Sequence, residues 1–123
     1  MKNILWVDDI QPYAERKCGE IKEFLEGERI QAQVDCAATN EDTIRLTTTH
    51  DYHLIILKYT TALCGYALRQ SVKSAEAKNG AQFIRVSADN VSNIDHRGDP
   101  DFLDKRDPDF QENLEKSILE KLQ

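Results

Sequence analysis

Residues 52–58 read Tyr52, His53, Leu54, Ile55, Ile56, Leu57 and Lys58, four consecutive large aliphatics followed by one charge. An apolar run of that length without polar alternation predicts a strand buried on both faces, in the middle of a parallel sheet. The closing lysine then falls at the C-terminal edge of the sheet, where open α/β folds bind ligands and carry out chemistry. Such a strand needs neighbours on both sides and helices above and below.

The rest of the chain supplies them. Residues 3–7 are a short apolar run, read as a first strand, that ends at Asp8 and Asp9. Pro12 suits the first turn of a helix. From there Ala14, Cys18, Ile21 and Leu25 step along one helical face until Gly27 closes it. Ile30, Ala32 and Val34 alternate with polar residues, the pattern of a half-buried edge strand. Thr39 or Asn40 can cap a second, short helix, with Asp42 as the capping-box partner of Thr39 and with Ile44 and Leu46 as its few apolar residues.

After the central strand, Gly65 opens a third helix carrying Ala67, Leu68, Val72 and Ala75, which Asn79 and Gly80 end. Residues 82–86 form a fourth strand that finishes at Ser87 and Ala88. Residues 89–100 are polar, with Val91 and Ile94 as their large apolar side chains, enough for a turn or two of helix. Residues 101–104 are a short fifth strand ending at Lys105. Asp107 as N-cap and Pro108 at the first helical position start the last helix, whose stripe is Phe110, Leu114, Ile118 and Leu122.

Strand and helix alternate five times. That order predicts an α/β fold, a doubly wound, five-stranded parallel sheet with helices on both faces. The expected strand order is 2-1-3-4-5, with the switch point between the first and third strands. Asp8, Asp9 and Lys58 meet in that crevice.

Bulk properties narrow the function. The 123 residues suffice for a single domain over 1–123 with a real core. A net charge of −6 with scattered basic residues argues against nucleic acid as the main partner. No apolar run approaches the ~18 residues that a membrane span needs. Met1, Lys2 and Asn3 lead straight into the first strand, unlike a signal peptide. Cys18, Cys36 and Cys64 are odd in number and lack metal-ligand spacing, so they read as reduced thiols of a cytoplasmic protein. His50, His53 and His96 are scattered surface residues, and Glu20, Glu23 and Glu26 are a solvated helix face.

The chain resembles the receiver domain of two-component response regulators, the CheY-like family with its flavodoxin-like fold. Four stretches carry the resemblance over essentially the whole length: residues 4–9, residues 52–58, Ser87 with Ala88, and residues 98–105. The resemblance implies roles residue by residue. Asp8 and Asp9 correspond to the acidic pair that holds Mg²⁺, Ser87 to the hydroxyl and Lys105 to the lysine that bind the phosphoryl oxygens, and Phe102 to the aromatic switch. Lys58 stands where the family has its phosphoacceptor Asp. The loop from Lys58 to Gly65 is one residue short of the family's and lacks its Pro. Arg106 replaces the Pro that follows the lysine, and the segment between Ser87 and Lys105 is about one helical turn short.

With Lys58 in place, two acids face two lysines and the pocket sums to zero without a metal. At ~4 Å and an effective dielectric of ~20, each Asp–Lys contact is worth about 4 kcal/mol before desolvation. A cation fixed there repels Mg²⁺, so metal binding is expected to be lost or weak and no cofactor is expected. The resemblance then implies a stand-alone pseudo-receiver, not an enzyme. It would act by phosphorylation-independent contact with a signalling protein such as a histidine kinase or an effector, and a homodimer is compatible with it. The face made by the fourth helix, fifth strand and last helix is the family's usual output surface.

Two other functions stay open. One keeps phosphotransfer, with Asp8 or Asp9 as the acceptor. The other is a small phosphohydrolase, against which stand adjacent rather than alternate acids and the lack of a Gly-rich phosphate loop. Blander roles stay open as well: Lys58 and Lys105 as surface lysines at strand ends, Ser87 as a cap, and Phe102 as a core aromatic.

Overall fold

The computed structural model describes residues 1–8, 10–58, 80–86 and 102–122. Asp9, the expected helix from Gly65 to Asn79, Cys64, Ser87, Ala88, the expected fourth helix with Val91, Ile94 and His96, and residues 98–101 lie outside the described residues.

The elements follow the sequence patterns closely. They are β1 (Lys2–Val7), α1 (Gln11–Gly27), β2 (Ala32–Ala37), α2 (Asn40–Thr49), β3 (Leu54–Lys58), β4 (Gln82–Val86), β5 (Phe102–Leu103) and α3 (Phe110–Leu122). The five strands are parallel and lie in the order β2-β1-β3-β4-β5, as expected for this fold. β2 is therefore an edge strand, and β3 is central with all five residues buried.

Side-chain alternation sorts the strands into two apolar layers. Ile4, Trp6, Leu54, Ile56, Ile84 and Val86 point to one side. There they meet Ala14, Cys18, Ile21 and Leu25 of α1 and Phe110, Leu114, Ile118 and Leu122 of α3. Both helical stripes were legible in the spacing of their apolar residues. On the other side Leu5, Val7, Ile55, Leu57 and Phe83 join Ala37, Tyr52 and Ala81, with Leu46 of α2 packed against them.

Local chemistry sets the helix ends. Thr39 caps α2, its hydroxyl accepting the Asp42 N–H at 3.1 Å. α1 stops at Gly27, but the left-handed residue is Arg29, at φ 61°. The Arg29 N–H donates to the Glu26 carbonyl and the Ile30 N–H to the Leu25 carbonyl, which is a Schellman closure. Gly80 has φ 68°, the left-handed turn expected of it.

The buried face of α2 is partly polar. Whereas the apolar Ile44 is 36% exposed, Thr43 and Thr47 are buried. Their hydroxyls donate to the Thr39 and Thr43 carbonyls, both at 2.8 Å, so polar side chains are buried without orphaned donors. The last helix begins at Phe110 rather than Pro108. Asp107 instead accepts the Asp109 N–H with its carboxylate at 2.9 Å and closes a turn that precedes the helix. The fifth strand ends at Leu103 rather than Asp104, and among the described residues it pairs Phe102 with Arg85 and Leu103 with Val86.

Candidate functional site

β1 and β3 are direct neighbours with Val7 opposite Leu57, so the next residue of each, Asp8 and Lys58, emerge side by side. Alternation puts both on the side of the sheet that α1 covers, in line with Trp6 and Ile56. Neither reaches solvent to any extent: Asp8 is 0% and Lys58 3% exposed. The Lys58 ammonium donates to Asp8 Oδ1 at 3.3 Å.

The Asp8 carboxylate has further partners. Oδ1 also accepts the Ile10 N–H at 3.0 Å, as the chain turns toward α1. Oδ2 accepts the Trp6 indole N–H at 3.3 Å. The Asp8 backbone N–H donates to the Ala37 carbonyl at 3.0 Å and so extends the β1–β2 ladder by one residue. A fully buried carboxylate is tolerable here because both of its oxygens are engaged.

Tyr13 closes the site from the first turn of α1. Its ring packs at 6.5 Å from Trp6, tilted by 58°. Four cations lie over it: the Lys105 ammonium at 4.1 Å from the centroid, the Arg16 guanidinium at 5.2 Å, and the Lys17 and Lys58 ammoniums at 5.6 Å. A π face attracts cations electrostatically, and partial burial strengthens the attraction. Tyr13 thus gathers Lys58 and Lys105, from strand ends 47 residues apart in sequence, onto one surface.

Lys17 is the second residue that sequence reasoning passed over. It is buried, and its ammonium donates to Gln111 Oε1 at 2.8 Å, pairs with Glu20 at 3.2 Å and lies 5.8 Å from the Phe110 ring centroid. It joins α1 to α3. A signal for it existed: Lys17 falls between Ala14 and Ile21 on the buried stripe of α1, where a cation needs a partner. Nothing comparable marked Tyr13.

Of the residues expected to form the site, Asp8, Lys58 and Lys105 are brought together. Phe102 is half-buried and lines a cleft of about 280 Å³ with Leu103, Asp104, Asp107, Phe110 and Asn113, where β5 leads into α3. Asp9 and Ser87 lie outside the described residues. Among the described residues no group of three or more His, Cys, Asp and Glu is placed to hold a metal ion, and no helix is long and apolar enough to cross a membrane.

A polar pair on the opposite side of the sheet resembles the site in chemistry but not in charge. The Tyr52 hydroxyl donates to Asp35 Oδ2 at 2.8 Å, and His50 stacks on the Tyr52 ring at 6.0 Å. Burial, and then the Asp35 carboxylate, push the Tyr52 phenol well above its ordinary pKa.

No protein-family model matches the chain, and no curated protein matches it in sequence. Solved structures do match it in shape. The signal receiver domain of a DNA-binding response regulator from Colwellia psychrerythraea superposes with a TM-score of 0.69 at 20% identity, over 98% of this chain and 99% of that one. The response regulator TrrA from Thermotoga maritima, solved in complex with Mg²⁺-BeF, gives 0.65 at 22% identity, over 98% and 99%. A co-crystal of the Saccharomyces cerevisiae phosphotransfer protein Ypd1 with the receiver domain of its downstream response regulator Ssk1 gives 0.62 at 23% identity, over 97% and 87%. The chain has the fold of response regulator receiver domains along nearly its whole length.

Proposed function

We propose that this receiver-like fold serves as a pseudo-receiver, a phosphorylation-independent protein-interaction module of two-component signalling. One observation carries the reading. The position that ends β3 holds a buried ammonium 3.3 Å from the Asp8 carboxylate, so the carboxylate that would accept a phosphoryl group is replaced by its opposite charge.

Among the described residues, Asp8 and Lys58 do not suit a divalent cation. Both Asp8 oxygens already accept hydrogen bonds, from Lys58, Ile10 and Trp6, and the Lys58 charge repels an incoming ion. Removing either member of a buried pair strands the other charge, at a cost of about 3–5 kcal/mol. The pair therefore favours one arrangement of the β1 and β3 ends and opposes exchange for metal or phosphate. Signal output then rests on binding. A phosphotransfer protein such as the one that accompanies the Ssk1 receiver domain, a histidine kinase, or an effector is the partner class. The protein is read as cytoplasmic and non-enzymatic.

The test is a Mg²⁺ titration followed by the fluorescence of Trp6, whose indole donates to the same carboxylate, together with acetyl phosphate treatment read by intact mass. The wild-type chain is expected to show neither saturable metal binding nor a phosphoryl adduct. Lys58→Asp is expected to gain the metal response. A saturable millimolar response in the wild type, or an acid-labile adduct on Asp8 or Asp9, overturns the reading in favour of a working receiver.

A further inference from the structure

Cys18 and Cys36 take no part in the Asp8–Lys58 site, yet the fold brings them together from separate elements. Cys18 lies on the buried stripe of α1 and is 8% exposed. Cys36 is in the edge strand β2, opposite Trp6 of β1 in the parallel register. Alternation turns Cys36 to the α1 side of the sheet with Ala32 and Val34, against the core cluster that contains Cys18. The Cys18 thiol donates to the Asp35 carbonyl at 3.5 Å, which is the carbonyl of the peptide bond leading into Cys36, so the Cys18 sulfur sits beside the β2 backbone at the Cys36 position. Both are free thiols, Cys18 buried and Cys36 half-buried.

We propose that Cys18 and Cys36 form a reversible disulfide with a peroxide as oxidant, stapling α1 to the edge strand β2. The two thiols are unequal, and this sets the order of events. Burial and the neighbouring Cys36, Asp35 and Asp8 groups hold Cys18 in its protonated form, so it is a poor first nucleophile. Cys36 is the more accessible of the two. Its thiolate attacks one peroxide oxygen: an S–O bond forms, the O–O bond breaks, and the departing oxygen leaves as water after taking a proton. Cys36 is then a sulfenic acid. The Cys18 sulfur attacks the Cys36 sulfur: the S–S bond forms, the S–O bond breaks, and the Cys18 proton leaves with the hydroxyl as a second water. The peroxide gains the two electrons that the thiol pair loses. Native packing already places the second thiol in the same α1–β2 seam as the first, so disulfide closure competes with further oxidation of Cys36.

The staple would bear on the site through the backbone. Cys36 is followed by Ala37, whose carbonyl holds the Asp8 N–H. Trp6, the only tryptophan, sits beside Cys36 in the sheet and donates to the Asp8 carboxylate. Its fluorescence therefore reads both the sulfur chemistry and the carboxylate.

The experiment treats the reduced full-length chain with hydrogen peroxide, blocks the remaining thiols by alkylation, and maps the peptides by mass spectrometry while Trp6 fluorescence is followed. Loss of two of the three thiols is expected, with a Cys18–Cys36 crosslinked peptide and a drop in Trp6 emission, all reversed by dithiothreitol. Cys36→Ser is expected to abolish the crosslink, Cys64→Ser to leave it intact, and Cys18→Ser to trap Cys36 as a sulfenic or more oxidised acid. Cys18→Ala repeats that test if the serine in the core disturbs folding. The proposal is overturned if all three thiols stay alkylatable, if Cys36 pairs with Cys64 or with a second chain, or if wild-type Cys36 goes on to sulfinic acid without crosslinking.

Discussion

α1 lays Ala14, Cys18, Ile21 and Leu25 against one side of the sheet, while α2, on the other side of the same edge strand, lays down Thr43 and Thr47. The first helix buries hydrocarbon. The second buries hydroxyls and returns each to a carbonyl of its own preceding turn, with Thr48 and Thr49 bonding back in the same way to Ile44 and Arg45 on the exposed side. Such back-bonding satisfies a hydroxyl but adds no contact with the sheet. The polar residues that α1 does bury or half-bury, Lys17 and Tyr13, reach outward to α3, to β3 and to Lys105 beyond β5 instead. A helix whose polar groups satisfy themselves is a local structure. One whose polar groups are satisfied by other elements joins the fold together, and the candidate site depends on the latter kind.

The contrast is sharpest in stability. Leu25→Ala in α1 removes a fully buried side chain and is expected to cost about 2–5 kcal/mol. Thr47→Val in α2 keeps the volume and leaves no acceptor orphaned, so its cost should be about 1 kcal/mol or less. Denaturant midpoints at constant m compare the two, and equal losses would erase the distinction.

Tyr13→Leu keeps an apolar side chain but removes the π face, with an expected loss of about 0.5–2 kcal/mol. Tyr13→Phe should retain most of the wild-type stability. If leucine and phenylalanine behave alike, Tyr13 acts by volume alone and does not collect the lysines.

Across the sheet, Tyr52→Phe deletes the hydrogen bond to Asp35 and should cost about 1 kcal/mol near neutral pH. It should also change the response to base. The unfolded phenol loses its proton near pH 10, whereas the folded one, pushed up by burial and Asp35, keeps it. The wild-type contribution is therefore present below about pH 10 and lost as the pH rises beyond it, and the Phe variant should lack that component. Unfolding curves across this range decide the matter. A wild-type chain no more base-sensitive than the variant would contradict the buried, neutral phenol.

The smallest effect is a gain. α1 closes through Arg29 in the left-handed region, whereas the residue after α2, His50, is extended. Arg29→Gly removes the Cβ from that conformation and should stabilise by a few tenths to about 1 kcal/mol, because glycine's added unfolded-state freedom offsets part of the relief. A loss in thermal unfolding would show that the Arg29 side chain contributes more than its backbone costs.

Much of this architecture was legible in local patterns. The unbroken aliphatic run before Lys58, the short run before Asp8 and the alternation around Val34 specify strands that can be ordered only a few ways. The parallel register then makes Asp8 and Lys58 neighbours. The apolar stripes of α1 and α3 and the Thr39 cap came from the same kind of evidence. Other features were not legible, for definite reasons. The burial of Thr43 and Thr47 left no mark in the sequence, because the side of α2 that faces the sheet is fixed by packing, and threonines that satisfy their own hydroxyls can occupy it.

The sequence by itself determined the periodicities, the strand ends and the opposite charges those ends carry, since these depend on residue spacing along a single segment. Tertiary structure alone decided that one tyrosine ring would sit among four cations, that Lys17 would be buried on Gln111, and that two thiols from α1 and β2 would share one seam of the core. Each of these pairs elements far apart in the chain, and no one-dimensional pattern records which side chains will fill the space between a helix and the sheet it covers.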